Sequence, residues 1–182
     1  MLLATVVLGL LSTLSGCGSA PRRAPAASPA AVDVEPLIVR VEAPLATAAN
    51  RPYRAAGREY VPDLSGRPYR RQGLASWYGS QYQGQRTASG EPFDLRRLSA
   101  AHPTLPIPSY ARVTNLDNGA QIIVRINDRG PFRDDRIIDL SLAGARLLGF
   151  AERGTARVDV EALSTGEVRA LAGRPAPIRA GR

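Results

Sequence analysis

Short β-branched stretches separated by turn-forming residues run through residues 73–163, and they constrain the fold more than any other feature. Residues 110–116 and 121–127 are two such stretches, joined by Asp117-Asn118-Gly119. Asp, Asn and Gly tolerate positive φ, so this juncture predicts a β-hairpin. The second stretch is almost continuously apolar, which is typical of a strand buried on both faces.

One helix and a closing strand complete this part of the chain. Ser141 is suited to cap a helix that runs to Leu148, with Gly149 just past its end. Residues 156–163 alternate apolar and polar side chains, which predicts a last strand. Many short strands with one or two short helices predict a mainly β protein folded as a small closed barrel. The pattern alone does not say which barrel.

Composition divides the chain into five segments. Ala, Pro and Ser dominate the region after Cys17, and such a segment buries too little apolar surface to fold by itself. We therefore predict a signal peptide at 1–16, a disordered Ala/Pro-rich linker at 17–50, an extended lead-in at 51–72, the barrel at 73–163 and a basic disordered tail at 164–182.

Cys17 follows Leu14-Ser15-Gly16 at the end of a short apolar run, which is typical of a secretory signal and too short for a membrane-spanning helix. This arrangement resembles the lipobox of bacterial lipoproteins, in which the cysteine is acylated and becomes the first mature residue. The resemblance implies anchoring through acyl chains on Cys17. Gly18 in the next position implies the inner leaflet of the outer membrane, with the domain in the periplasm. The alternative is an ordinary signal or core segment with an incidental cysteine.

The net charge of +8 comes entirely from arginine, and Cys17 is the only cysteine. An internal disulfide and a cysteine-based metal site are thereby excluded, and His102 as the only histidine makes a zinc site improbable, so we expect neither a metal nor a cofactor. Basic chains bind nucleic acid, anionic membranes or acidic polymers. Export argues against nucleic acid as a partner, so lipid headgroups and the cell-wall polymer are the remaining anionic candidates. The alternative is that the arginines only keep the surface soluble. We expect a monomer.

Six ordered blocks resemble the rare lipoprotein A family, also called septal ring lytic transglycosylases. These are Gly73-Leu-Ala-Ser-Trp-Tyr-Gly79, Thr87-Ala-Ser-Gly-Glu-Pro-Phe-Asp94, Ala100-Ala-His102, Arg112-Val-Thr-Asn-Leu-Asp-Asn-Gly119, Val124-Arg-Ile-Asn-Asp-Arg-Gly-Pro131 and Arg136-Ile-Ile-Asp-Leu-Ser141. The resemblance implies a six-stranded double-psi β-barrel, the fold of expansins. It also implies cleavage of the MurNAc–GlcNAc bond of peptidoglycan, preferably peptide-free, with formation of 1,6-anhydro ends. Cell-division proteins or amidases are the partners it implies.

Glycosidic cleavage requires a proton donor, and one carboxyl suffices when the 6-hydroxyl of the sugar is the nucleophile. Asp128 ends an apolar stretch at a Gly-Pro turn, where burial would raise its pKa. From position alone an Asp that bonds the turn's own amides is the favoured interpretation. The resemblance implies that Asp128 is the general acid/base and that Glu91 is a second acidic residue. His102 is either structural or a group that orients Asp128 or binds the sugar.

The remaining predicted site residues are substrate contacts. Tyr78 and Tyr82 are predicted to form walls for sugar rings, Thr87, Ser89 and Asn127 to bond sugar hydroxyls, and Arg125 and Arg129 to bind the lactyl carboxylates of peptide-free strands. An alternative for Arg129 is that it holds the turn through backbone carbonyls. Asp139 is predicted to be a helix-capping residue. A non-catalytic glycan-binding or wall-loosening module is the alternative function, and a structural partner of division proteins is a third.

Overall fold

The computed structural model describes residues 34–182. Its elements in chain order are a 3-10 turn (Ala48–Asn50), β1 (Tyr53–Ala55), β2 (Arg58–Tyr60), β3 (Arg70–Trp77), a second 3-10 turn (Ser80–Tyr82), β4 (Ser99–Ala101), β5 (Ser109–Asn115), β6 (Gln121–Asp128), β7 (Arg136–Leu140), α1 (Leu142–Leu147), β8 (Ala156–Ala162) and α2 (Thr165–Leu171). Neither helix of residues 34–182 is long and apolar enough to cross a membrane. The signal peptide, Cys17 and the first part of the predicted linker lie outside these described residues.

Six strands close into one barrel in the order β3-β7-β4-β6-β5-β8. The pairs β3–β7 and β4–β6 are parallel, and the other four neighbouring pairs are antiparallel. The predicted hairpin is β5–β6, with Thr114 opposite Gln121. The prediction of a six-stranded, mainly β barrel is confirmed.

The barrel interior is filled by branched apolar side chains, as the β-branched pattern of β6 predicts. Ile122, Val124 and Ile126 are completely buried inside, and Ile123 on the opposite face is 2% exposed. Ile123 belongs to a second cluster outside the barrel wall, together with Val39, Tyr110 and Ala176. An apolar outer face needs a cover, because leaving it in water forfeits about 25 cal/mol for each Å² of apolar surface.

That cover comes from the two segments predicted to be disordered, so both predictions differ from the structure for residues 34–50 and 164–182. Val39 is completely buried, its amide donates to the carbonyl of Arg174 at 3.2 Å, and its own carbonyl accepts from Gly173 at 2.9 Å. The tail also contains α2, where Ser164 and Glu167 form a capping box. Composition misled here because a few apolar residues, correctly spaced, are enough to dock a segment on an existing domain.

Local structure elsewhere follows the sequence with one addition. Ser141 caps α1 by accepting from the Gly144 amide at 3.2 Å, and Gly149 follows with φ of +76°, as predicted. The lead-in, predicted as extended, contains the antiparallel hairpin β1–β2. Its turn places Ala56 at φ +46° and Gly57 at φ +76°. Positive φ is uncommon for a residue with a Cβ, so Ala56 gave no turn signal.

Residues 34–50 are fastened to the barrel by the side chain of Asn50. Its amide nitrogen donates to the carbonyl of Ile107 at 2.6 Å, and its oxygen accepts from the Ile107 amide at 2.9 Å. The Asn50 side chain therefore satisfies both backbone groups of a buried residue, as a neighbouring strand would. A second donation reaches the carbonyl of Leu45 at 2.9 Å.

Asn50→Ala should lower the free energy of unfolding by about 2–4 kcal/mol, because it leaves the buried Ile107 amide without a partner and also removes the hydrogen bonds of Asn50 to the Ile107 carbonyl and the Arg129 guanidinium. Thermal unfolding of residues 34–182 should then shift down by about 5–10 °C. Arg51→Ala, at the exposed neighbouring position, is the matched control and should change little. Equal melting temperatures for Asn50→Ala and the control would show that this side chain does not fasten the segment.

Candidate active site

A cleft of about 570 Å³ opens at the C-terminal ends of β3 and β6. Its walls come from the end of β3 and the loop after it, from the turn that follows β6, and from β7. Among residues 34–182, Asp128 and Asp139 are the only acidic residues that line it. Tyr78, Tyr82, Thr87 and Arg129, all predicted site residues, line the same cleft.

Asp128 is placed by an irregularity in the barrel wall. Ala100 pairs with Ile126 and Ala101 with Asp128, so the β4–β6 ladder skips Asn127. Bulges of this kind redirect side chains and free a backbone group. The freed carbonyl of Asn127 accepts from the amide of Ser89 at 3.0 Å, which docks the 87–91 turn beside Asp128.

The Asp128 carboxyl has one oxygen engaged and one oxygen available. Oδ1 accepts from the backbone amides of Ala88 at 2.9 Å and Arg129 at 2.8 Å, whereas Oδ2 has no hydrogen-bond partner within residues 34–182. Burial raises the pKa of Asp128 above its usual range, and the two amides and the Arg129 charge oppose that rise only in part. The arrangement favours a proton on Oδ2, in the cleft, at a pH where an exposed aspartate is ionised.

Asp139 is the site residue that sequence reasoning missed. It was predicted to cap a helix, which is wrong because Ser141 is the cap and Asp139 lies in β7 opposite Ser76. The Ser76 hydroxyl donates to Asp139 Oδ1 at 2.6 Å, and Arg136 Nε lies 3.2 Å from the same oxygen. Burial raises the pKa of Asp139, while Ser76 and Arg136 act in the opposite direction. An acidic residue inside the apolar Ile-Ile-Asp-Leu stretch was the available signal.

Tyr78 presents an unpaired hydroxyl near the two carboxyls. The hydroxyl is buried and has no hydrogen-bond partner among the described residues. Burial raises the pKa of Tyr78, and the charges of Asp128 and Asp139 raise it further. Its ring packs edge-on against Phe93 at 5.0 Å and Tyr82 at 5.8 Å between centroids. Tyr82 is 44% exposed and forms a wall of the cleft together with Tyr78, whose hydroxyl is buried behind the cleft surface.

Thr87 and Ser89 were predicted to bond sugar hydroxyls, but their own hydroxyls form hydrogen bonds within the 87–91 turn. Thr87 Oγ1 lies 2.9 Å from Ser89 Oγ and 3.0 Å from the carbonyl of Glu91. The closed turn holds the amide of Ala88 against Asp128. The structure therefore assigns these side chains to positioning Asp128.

Glu91, Arg125 and Asn127 do not line the cleft but a neighbouring cavity of about 310 Å³. Arg125 Nη1 lies 2.6 Å from Glu91 Oε2, and Asn127 Nδ2 donates to the same oxygen at 3.2 Å. Arg125 also pairs with Glu42 at 2.8 Å. The predicted acids Glu91 and Asp128 thus open into different cavities, and Arg125 is neutralised inside the protein rather than free for a substrate carboxylate.

His102 is buried, and both nitrogens of its ring have hydrogen-bond partners nearby. Nδ1 accepts from the backbone amides of Thr104 at 3.1 Å and Leu105 at 2.9 Å, and Nε2 lies 2.9 Å from the Tyr69 hydroxyl. Burial lowers the pKa of His102 to about 3, so the ring stays neutral. The imidazole makes no hydrogen bond to the Asp128 carboxyl, contrary to the prediction that it orients this residue. The backbone amide of His102 donates to the backbone carbonyl of Asp128 at 3.1 Å.

The alternative interpretation of Arg129, that it holds backbone carbonyls, is the one that the structure bears out. Its guanidinium donates to the carbonyls of Ala49 at 2.9 Å, His102 at 2.9 Å and Leu105 at 2.6 Å. A fourth donation reaches Asn50 Oδ1 at 3.0 Å. With these donors in use, Arg129 is not free to bind a lactyl carboxylate.

A double-psi β-barrel family described as "Lytic transglycolase" matches residues 70–160, half of the chain. The chain belongs to this family. The matched segment holds all six barrel strands to within two residues and both aspartates of the cleft. The resemblance read from the sequence blocks is confirmed.

Individual relatives agree with the family match. Endolytic peptidoglycan transglycosylase RlpA of Pseudomonas aeruginosa is 58% identical over 127 residues, which are 70% of this chain and 37% of that protein. The Vibrio cholerae protein of the same name is 40% identical over 157 residues, 83% of this chain and 60% of that protein. The chain thus aligns with 37–60% of the length of these two relatives. A solved expansin of Clavibacter michiganensis aligns over 52% of this chain and 50% of its own at 19% identity and a TM-score of 0.42, too weak a likeness to carry an argument.

A neutral buried His102 makes stability depend on pH in a known direction. Because its folded pKa of about 3 lies below the usual 6.5, its contribution is complete above pH 6.5 and is lost as the pH falls toward 3. Going from pH 7 to pH 5 should cost about 2 kcal/mol of unfolding free energy from this residue.

His102→Asn retains an acceptor for the two amides but cannot gain a charge, so its pH dependence should be flatter by that amount. Urea unfolding of wild type and variant at pH 7 and pH 5 measures the difference, and all other titrating groups cancel in the comparison. Parallel pH dependences would contradict the assignment of a neutral buried ring.

Proposed function

We propose that this protein is a lytic transglycosylase that cleaves the MurNAc–GlcNAc β-1,4 bond of peptidoglycan and leaves a 1,6-anhydro end. Membership of the family and the activity named for its relatives support the reaction class. The observation that carries the proposal is the Asp128 carboxyl, buried in a cleft with a raised pKa and with Oδ2 available.

In the proposed mechanism Asp128 acts first as an acid and then as a base. The proton on Oδ2 passes to the glycosidic oxygen, which leaves as the 4-hydroxyl of GlcNAc. The 6-hydroxyl of MurNAc then bonds to C1 and returns its own proton to Asp128, so no water is consumed. Carbonyl and amide contacts around the turn keep the carboxyl in place through both transfers.

Asp139 and Tyr78 supply the other groups that this reaction needs. Arg136 and Ser76 oppose the rise that burial causes in the Asp139 pKa, and in its ionised form Asp139 would favour the oxocarbenium-like transition state. The ring of Tyr78, packed edge-on against Tyr82, would form part of the wall that a sugar ring meets in the cleft. Glu91 is assigned an indirect role, because its pairing with Arg125 and Asn127 holds the far side of the 87–91 turn.

Two acids in one cleft also fit a hydrolase, in which the second carboxylate activates water. Asp139, rather than Glu91, is the residue that would serve as that second carboxylate, because it shares the cleft with Asp128. A non-catalytic binding module is less well supported. Its expected feature, a cleft acid neutralised by an arginine side chain, is absent at Asp128, since Arg129 donates to backbone carbonyls instead.

The proposed preference for peptide-free strands requires a cation for the free lactyl carboxylate. Arg125 and Arg129, predicted for this role, are used internally. Arg133 lines the cleft with a side chain that is 69% exposed, and Arg86 lines it as well. We assign carboxylate recognition to these two residues. A stem peptide would turn the carboxylate into a neutral amide and remove the ion pair.

We also propose that acyl chains on Cys17 anchor the protein to the inner leaflet of the outer membrane, facing the periplasm. The lipobox-like Leu14-Ser15-Gly16-Cys17 and the following Gly18 support this location. Amidases, which remove stem peptides, or cell-division proteins are the partners that would place the enzyme beside suitable strands.

Mass spectrometry of soluble products released from amidase-treated sacculi tests the reaction. Residues 34–182 should release anhydro-ended sugars, and Asp128→Asn should reduce the release by about 10²–10⁴-fold, because the amide occupies the same space but carries no transferable proton. Asp117→Asn, at the opposite hairpin, is the control and should retain activity.

The other products distinguish the alternatives. Reducing ends that disappear in Asp139→Asn would identify a hydrolase with Asp139 as the second carboxylate. Retention on the sacculi without any product would identify a binding module.

Cys17→Ala should move the protein from the membrane fraction to the soluble periplasmic fraction, since the acylated sulfur is the proposed anchor. Fractionation of cells with quantitative immunoblotting measures the shift, with Ser19→Ala as the control. A Cys17→Ala protein that stayed in the membrane fraction would disprove the anchor.

A further inference from the structure

Beside the cleft, the β1–β2 hairpin carries two aromatic rings that the proposed chemistry does not use. Tyr53 pairs with Tyr60 across the hairpin, and their rings are stacked at 5.3 Å between centroids with an interplanar angle of 16°. Phe132, from the turn after β6, meets both rings edge-on or tilted, at 6.0 Å and 5.6 Å. We name these three residues the aromatic platform.

The platform is held rigidly against the barrel. The Tyr53 hydroxyl donates to the carbonyl of Pro103 at 2.9 Å, and the Arg129 guanidinium lies 5.9 Å from the centre of the Tyr53 ring. On the other side an ion pair joins Arg58 of the hairpin to Asp134. A hairpin with strands of three residues is not stable alone, so these contacts fix its position.

The platform is continuous with the cleft and partly open to solvent. Phe132 belongs to the cleft wall, yet 38% of its surface is exposed. Tyr60 is half-buried, its hydroxyl has no hydrogen-bond partner in the part of the chain that the structure describes, and the adjacent Val61 is 60% exposed. Phe132 and Tyr60 therefore keep part of their surface open to solvent beside the cleft.

We propose that the aromatic platform is an outer glycan subsite, which binds the apolar face of a sugar ring several residues from the scissile bond. A polymer that enters the cleft must continue along the surface, and the platform is the surface reached through Phe132. Flat rings with an adjacent hydroxyl suit sugar rings, which have apolar faces and polar edges. This inference rests on the proposed function for the identity of the polymer.

Binding to glycans of two lengths tests the platform apart from catalysis. The full-length chain carrying Asp128→Asn, solubilised in detergent, is titrated with peptide-free glycan strands and with a GlcNAc–MurNAc disaccharide. Adding Phe132→Leu, which keeps an apolar side chain but removes the flat ring, should weaken binding of long strands about fivefold to tenfold. Phe132→Trp should restore long-strand affinity. Affinity of the Tyr60→Ile variant for the disaccharide should stay within twofold, because Tyr60 lies outside the cleft lining.

Leu116→Ala is the matched control, because Leu116 is 39% exposed and lies outside the cleft lining. Tyr60→Ile, suited to a strand, is the second platform variant and should behave like Phe132→Leu. The inference is overturned if both platform variants bind long strands as well as the Leu116→Ala control. It is also overturned if Tyr60→Ile loses disaccharide affinity to the same extent as strand affinity.

The same experiment separates this inference from the proposed reaction. Ring-dependent binding by a chain whose native Asp128 form releases no anhydro sugars would support the subsite and reject the transglycosylase. Release of anhydro sugars together with binding that does not depend on the rings would support the transglycosylase and reject the subsite.

Discussion

The buried guanidinium of Arg129 is the contact on which the rest of this structure depends. It joins the backbone of residues 102–105, the side chain of Asn50 and the turn that begins at Asp128. Burial lowers the pKa of Arg129, yet an arginine remains charged at any physiological pH. Carbonyl oxygens supply the partial negative charge that stabilises this cation, so its side chain does not need to pair with a carboxylate.

The same arrangement affects the protonation of Asp128, the proposed catalytic acid. An Arg129 side chain that paired directly with Asp128 would hold the pKa of that aspartate low and keep it ionised. Instead the cation is turned toward carbonyls, and Asp128 receives only two backbone amides on one oxygen. The same residue that orders the turn therefore leaves the adjacent acid able to carry a proton.

The sequence predicts the elements that depend on interactions between residues close in the chain, and it does not predict those that depend on partners far away in the chain. The β5–β6 hairpin and the Ser141 cap depend on residues within a few positions, and both were predicted. Asp128 came from a family resemblance and not from its surroundings. Asp139 was missed because its partner Ser76 is 63 positions away.

The same limit explains the two segments predicted to be disordered. Asn50 bonds Ile107 across 57 positions, and no pattern near Asn50 announces that partner. His102 was overvalued because a single histidine attracts functional interpretation, although its Nδ1 only accepts backbone amides. In each case the missing information was which distant backbone groups lacked a hydrogen-bond partner.

The bridge between residues 37–39 and 173–176 has a mechanical consequence. A tension applied at the residue-34 end would first load the contacts of Glu35 with Arg96 and Arg97. It would then load the hydrogen bonds of Leu37 and Val39, and after them the contact of Leu45 with Ile107. Only after these yield would force arrive at Asn50 and the turn next to the cleft. A pull on the N-terminal side of the domain would therefore leave the geometry of the cleft unchanged until the contacts of residues 34–45 had broken.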